Sequence, residues 1–94
     1  MEVRWLRLAL ADLDGIFQYI AQSNEQVAKR VIADIWHSGQ LLGQHPNMGR
    51  AGRVDGTREL VIHDSKYLIP YRVIHNEVQI LRVLHGAMDW PKSF

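Results

Sequence analysis

The sequence predicts an α+β fold, with a short N-terminal strand and a helical hairpin packed on a small C-terminal antiparallel sheet, helices on one side and strands on the other. Three observations predict it. Apolar residues recur at three- and four-residue steps through the first half, a loop rich in glycine and proline follows, and three β-branched runs separated by turn signals fill the second half. With 94 residues, 47% apolar and 22% charged, the chain suits a single domain around one core.

Residues 1–7 hold the first strand, centred on Val3 to Leu6. Leu10, Leu13, Ile16, Phe17 and Ile20 then share one face of a helix, with Asp12, Asp14 and Gln18 between them. Ala28, Val31, Ile32, Ile35, Gly39 and Leu42 form a second helical series, and Ser23 with Gln26 three residues on reads as a capping box at its start. Pro46 cannot continue the helix and biases His45 away from helical geometry, so the hairpin covers 8–45.

Three glycines and a proline make 46–56 a loop. The strand region 57–85 divides into Thr57 to Ile62, Tyr67 to Ile74 and Glu77 to His85, and 86–94 is a tail. His75-Asn76 reads as a two-residue hairpin turn, because Asn tolerates the positive φ such a turn needs. That turn sets Ile74 against Glu77. Tyr67, Ile69, Tyr71, Val73, Val78, Ile80, Arg82 and Leu84 then face the helices, while Leu68, Pro70, Arg72, Gln79, Leu81 and His85 take the other face. Pro70 cannot donate to a ladder, so it marks an edge or a bulge.

The composition narrows the function. Zero cysteines exclude disulfides, thiolate chemistry and cysteine-ligated zinc, and suit a reducing compartment. No run approaches the ~20 apolar residues of a membrane span, and the Met1-Glu2-Val3-Arg4-Trp5 start lacks a signal-peptide pattern, so the cytosol is expected. No metal motif, phosphate loop or nucleophile elbow occurs. A net charge of +1 does not by itself predict nucleic-acid binding, although Arg50, Arg53 and Arg58 cluster within nine residues.

Any chemistry must therefore rest on Arg and His. Arg82 sits in a strand that is apolar on both faces, so it either closes an internal ion pair with Asp12, Asp14 or Glu59 or binds a phosphate or carboxylate. Arg72 shares the predicted face of His85, with Glu59 as an alternative internal partner. His85 ends the last strand just before Gly86, where a side chain can project into a cleft and transfer a proton near neutrality. His63-Asp64 is a second possible pair, and Trp90 with Met88 and Phe94 could cap the core or stack on a partner.

Taken in order along the chain, Ala11-Asp12-Leu13, Ile16, Tyr19-Ile20-Ala21, His45-Pro46, Gly49-Arg50, Gly56-Thr57-Arg58-Glu59-Leu60-Val61, Tyr67-Leu68-Ile69, Tyr71-Arg72-Val73 and Ile80-Leu81-Arg82-Val83-Leu84-His85 resemble the RelE/ParE superfamily. These are toxins of type II toxin–antitoxin modules, often labelled plasmid-stabilisation proteins. The resemblance covers nearly the whole chain. It implies a cytosolic toxin that needs no cofactor and forms a hetero-oligomer with a small DNA-binding antitoxin encoded beside it.

The resemblance also implies two activities. RelE-like members cleave mRNA in the ribosomal A site without metal, whereas ParE-like members are described as inhibitors of DNA gyrase. In the nuclease reading His85 is the acid or base, Arg72 and Arg82 clamp the phosphate, and Arg58 contacts the backbone. Arg50, Arg53, Arg58 and Trp90 are the candidates for contact with target or RNA in either reading. The tail Gly86-Ala87-Met88-Asp89-Trp90-Pro91 has no Tyr, and Met88 stands where many relatives carry a basic residue. That departure favours a ParE-like toxin acting by binding, over an mRNA endoribonuclease or a non-toxic protein that retains only antitoxin binding.

Overall fold

The computed structural model describes residues 1–94. Strand β1 (Glu2–Trp5) leads into helices α1 (Arg7–Ala21) and α2 (Glu25–Gln40), followed by a 3₁₀ turn at Leu41–Gly43. Strands β2 (Arg50–Ala51), β3 (Arg58–Val61), β4 (Tyr67–Ile74), β5 (Glu77–Ile80) and β6 (Leu84–His85) complete the chain. The sheet order is β1-β5-β4-β3-β2, with β6 paired to β4 beside β5. All pairs are antiparallel except β1 with β5. That parallel pair requires a crossover, which the helical hairpin supplies.

Helix α1 buries Ala9 and Leu13 rather than Leu10, which is 47% exposed. The rest of the expected stripe faces inward, with Leu13 buried and Ile16, Phe17 and Ile20 partly buried, and Ala9 takes the place of Leu10. No side chain caps its first turn, since Leu6 occupies the N-cap; instead the Leu6 N–H is held by the Ile80 carbonyl at 2.9 Å. Helix α2 is capped by Asn24, whose Oδ1 accepts from the Val27 N–H at 3.0 Å, one residue later than the Ser23 box predicts. Its Gly39 lets Trp5 pack directly on the helix, where a Cβ would collide with the indole. Trp5 also stacks on Trp36 and donates to Gln40 Oε1 at 2.7 Å.

The turn after β4 forms as the sequence requires. His75 and Asn76 both take positive φ, 52° and 60°, and Ile74 pairs with Glu77. The register holds through Tyr71 and Ile80, then fails. Leu68 pairs with Leu84 and Tyr67 with His85, so three residues (Leu81, Arg82, Val83) oppose two (Ile69, Pro70).

Pro70 causes the break. Its carbonyl accepts from the Leu81 N–H at 2.9 Å, but proline has no N–H to return the second bond of that pair. The partner strand therefore bulges. From the bulge onward the faces exchange, so His85 joins Tyr67 on the helix side, and the expectation that it shares a face with Arg72 is corrected.

The core lies between the helices and the inner sheet face, where Trp5, Ala9, Leu13, Ile35, Leu42, Ile69, Tyr71, Val78 and Ile80 meet. The outer face is also largely covered at its centre. Leu68, Pro70, Leu81 and Leu84 are buried there, and Gly86 at the start of the tail lies against Leu68 so closely that a Cβ would stand 2.9 Å from its Cδ1.

Candidate functional site

Asp12 on α1 reaches across to the bulge. Its Oδ2 accepts from Arg82 Nε at 2.8 Å and from the Val83 N–H at 2.9 Å, and its Oδ1 accepts from Arg82 Nη2 at 3.0 Å. The hydrogen bonds to Asp12 push the Arg82 pKa up further, against the opposing effect of partial burial. Of the two uses open to Arg82, the internal ion pair is the one formed. Its Nε–Nη2 edge is occupied and its charge is matched by Asp12, while Nη1 has no partner in the chain.

His85 is equally committed on one side. Its Nδ1 accepts from the Ala87 N–H at 3.0 Å, and its ring meets Tyr67 edge-on at 5.9 Å. With Nδ1 an acceptor, the neutral ring carries its proton on Nε2 and presents a donor outward. A general base needs the reverse. Burial raises the pKa of the neighbouring Tyr67 hydroxyl, and the proximity of Tyr19 raises it further.

Arg72 lies on the outer face. It donates from Nε to Gln79 Oε1 at 2.8 Å, and Gln79 passes the constraint to Glu77 Oε1 at 2.7 Å. Glu59 is not its partner. That carboxylate, 2% exposed, accepts from the Arg53 N–H at 2.8 Å and pairs with Arg50 Nη2 at 3.3 Å and Arg53 Nε at 3.6 Å. Arg72 and His85 are thus on opposite faces, and their β4 register positions, Arg72 and Tyr67, are separated by about 17 Å at the usual strand rise.

The loop before β3 is pinned rather than free. Tyr71 donates to the Pro46 carbonyl at 2.8 Å and accepts from the Gly49 N–H at 2.9 Å, while Arg58 Nη1 donates to the Gly49 carbonyl at 2.8 Å. Arg53 lies 3.7 Å from the Trp90 ring centroid, and Trp90 Nε1 donates to the His85 carbonyl at 3.1 Å. Arg50, Arg53 and Trp90 therefore form one connected patch. Arg50 keeps 57% and Arg53 45% of the side chain exposed. His63 and Asp64 approach to 3.4 Å but are almost fully exposed, so they form no enclosed site.

Between the helices and the β3–β4 turn runs a groove of about 720 Å³, lined by residues that include Tyr19, Val31, Ile35, His63, Lys66 and Tyr67. A second hollow of about 520 Å³ continues it past Tyr19 and Tyr67 to Asp12, Gly15, Arg82, His85 and Met88. Sequence periodicity marked Tyr19 only as part of a helix. The structure leaves it 76% exposed at the junction of the two hollows.

The ParE toxin of the type II toxin–antitoxin system parDE is the family whose model matches residues 3–90. The chain belongs to that family. It is 43% identical over 90 residues to the putative toxin Y4kP of Sinorhizobium fredii, covering 96% of this chain and 93% of the relative. It is 35% identical over 86 residues to toxin RelE2 of Caulobacter vibrioides, covering 92% and 96%.

Among solved structures it is similar to the chromosomal ParDE system of P. aeruginosa, with a TM-score of 0.83 and 33% identity over 90% of this chain and 95% of that one. It is also similar to the RelBE2 toxin–antitoxin complex of Mycobacterium tuberculosis, at 0.65 and 26% over 89% and 95%. Both carry the α+β arrangement seen here, so the expected superfamily and fold hold. No helix is long and apolar enough to cross a membrane.

Proposed function

We propose that this ParE-family toxin acts in the cytoplasm by binding a cellular target, DNA gyrase in the reading its family favours, and is neutralised by an antitoxin encoded beside it. One observation carries the choice of binding over cleavage. The three residues that RNA cleavage would need do not converge: Arg82 and His85 border one hollow on the helix side, Arg82 with one edge on Asp12 and His85 with its Nδ1 taken by Ala87, while Arg72 lies on the outer face. Cleavage of an RNA backbone asks for an acid, a base and fixed cations around one phosphate.

The open groove beside Tyr19 and Tyr67, with its apolar walls, suits an amphipathic peptide and is the place for the antitoxin. Arg50, Arg53, Arg58 and Trp90 remain the candidates for target contact, of which Arg50 and Arg53 are the most exposed. The test pairs a gyrase supercoiling assay with 5′-end mapping of mRNA in a translation reaction, using one preparation. Inhibited supercoiling with intact mRNA is expected. Breaks at codon boundaries would establish the nuclease instead, and unimpaired growth on induction would leave a non-toxic antitoxin-binding protein.

A further inference from the structure

Three arginines are partly buried, and they differ in what they hold. Arg58 ends on the Gly49 carbonyl and Arg82 on the Asp12 carboxylate, whereas Arg72 has only a neutral amide, at its Nε. Both Nη groups of Arg72 are without a partner in the chain. A guanidinium held at one edge with its far edge free presents two parallel donors, the geometry that takes a carboxylate bidentately.

The hold on Arg72 is built from several residues. Gln79 is 8% exposed, its Oε1 faces Arg72 and its Nε2 donates to Glu77, so the amide cannot turn over without losing both bonds. Glu77 is itself anchored by Arg4 at 3.6 Å. Arg4, Gln79 and Arg72 are register partners on β1, β5 and β4, which puts the Cα atoms of the two arginines about 10 Å apart across the outer face. Of the acids near this row, Glu77 serves Arg4 and Glu59 serves Arg50 and Arg53, while Glu2, opposite Glu77 on β1, is two strands away from Arg72 and makes no ion pair. No carboxylate of the chain pairs with the vacant donors of Arg72.

We infer that the outer sheet face carries a carboxylate-binding site centred on Arg72 and oriented by Gln79, which takes an acidic side chain of a protein partner. A polyanion is the poorer fit, because a chain with net charge +1 lacks the many phosphate contacts that drive nucleic-acid binding. A protein surface fits better: Ile74, two residues from Arg72 on the same face, is 37% exposed, and Val61, paired with Leu68 on that face, is 51% exposed. A fixed arginine with one exposed aliphatic side chain beside it and another farther along the same face suits a protein–protein contact. The site is on the opposite side of the sheet from the helix groove. It names a contact for the binding-toxin reading and rests on that reading only for the identity of the partner.

The test titrates the full-length protein, with its arginine side chains observed by ¹H–¹⁵N NMR, against acetyl-Glu-amide and in parallel against dimethyl phosphate. The Arg72 signals should shift saturably with the carboxylate probe and less with the phosphodiester. Arg72→Gln and Arg72→Lys should each weaken that binding at least about tenfold, since one removes the charge and the other the fork. Gln79→Leu, which keeps the arginine but frees it, should weaken it several-fold, with thermal melts showing each variant folded.

Equal shifts at Arg50, Arg53 and Arg72, or preference for dimethyl phosphate, would overturn the site. Induced growth arrest separates the two readings: arrest by the wild type that survives Arg72→Gln sinks the Arg72 contact and leaves the toxin reading standing. A wild type that causes no arrest sinks the toxin reading, while the titration still decides the site.

Discussion

Asp12 and Arg82 are 70 residues apart in the chain and share a two-pronged ion pair, 2.8 and 3.0 Å long, that also captures the Val83 N–H. The pair joins α1 to the bulge that Pro70 forces on the sheet. It supplies the hydrogen bond that the interrupted ladder cannot give Val83, and it settles which way the strand leaves the bulge.

Asp12→Ala should therefore cost about 2–3 kcal/mol, because it strands a partly buried guanidinium and a backbone donor together. Urea melts measure it. Arg82→Ala should cost less, and the double variant should be more stable than the summed single losses predict. The Tyr67–His85 contact, read by NOE, should weaken in Asp12→Ala if the pair holds the register.

Tyr71→Phe keeps the buried ring and removes the hydroxyl between Pro46 and Gly49. The Gly49 N–H then lacks its acceptor, for a loss of about 1–3 kcal/mol in chemical unfolding.

The same hydroxyl predicts a pH dependence. Burial raises the Tyr71 pKa above the ordinary 10.0, opposed by the Gly49 hydrogen bond and the charge of Arg58. The folded state therefore holds its proton more tightly than the unfolded chain. The stabilisation is complete below pH 10.0 and is lost as the pH rises through the folded-state value, since the unfolded chain deprotonates first. Thermal melts between neutral and strongly alkaline pH should show a decline that is shallower in Tyr71→Phe.

Glu59→Gln removes the charge that gathers Arg50 and Arg53. The loop should open more often, and trypsin should cut after Arg50 or Arg53 roughly tenfold faster than in the wild type. Unchanged cleavage would mean that Tyr71 and Arg58 hold the loop without it.

His85→Asn places an amide oxygen where Nδ1 accepts from Ala87, while abolishing proton transfer. Growth inhibition should stay within about twofold of the wild type if His85 serves no acid–base step, whereas removal of a catalytic proton-transfer group costs about 10²–10⁴-fold. Induced-growth curves measure the difference.

Several features were legible because they are local. The periods of both helices, the break at Pro46 and the His75-Asn76 turn with Ile74 against Glu77 depend on residues within a few positions of one another. Errors were small where neighbouring residues compete for one role, as Ser23 and Asn24 do at the start of α2. Asp12 is one of three partners that the sequence offers Arg82, and spacing alone does not choose it over Asp14 or Glu59. That choice depends on where α1 crosses the sheet.

The chain by itself determined its fold class, its family resemblance and the hairpin register up to Pro70, since periodicity and turn chemistry act over short stretches. Only tertiary structure decided how far the ladder is interrupted at Pro70, that Asp12 fills the gap, and that His85 consequently turns inward while Arg72 stays outside. The physical reason is the period of two in a strand. One extra residue reverses every side chain beyond it, and whether that residue is absorbed depends on a hydrogen-bond partner 71 residues away.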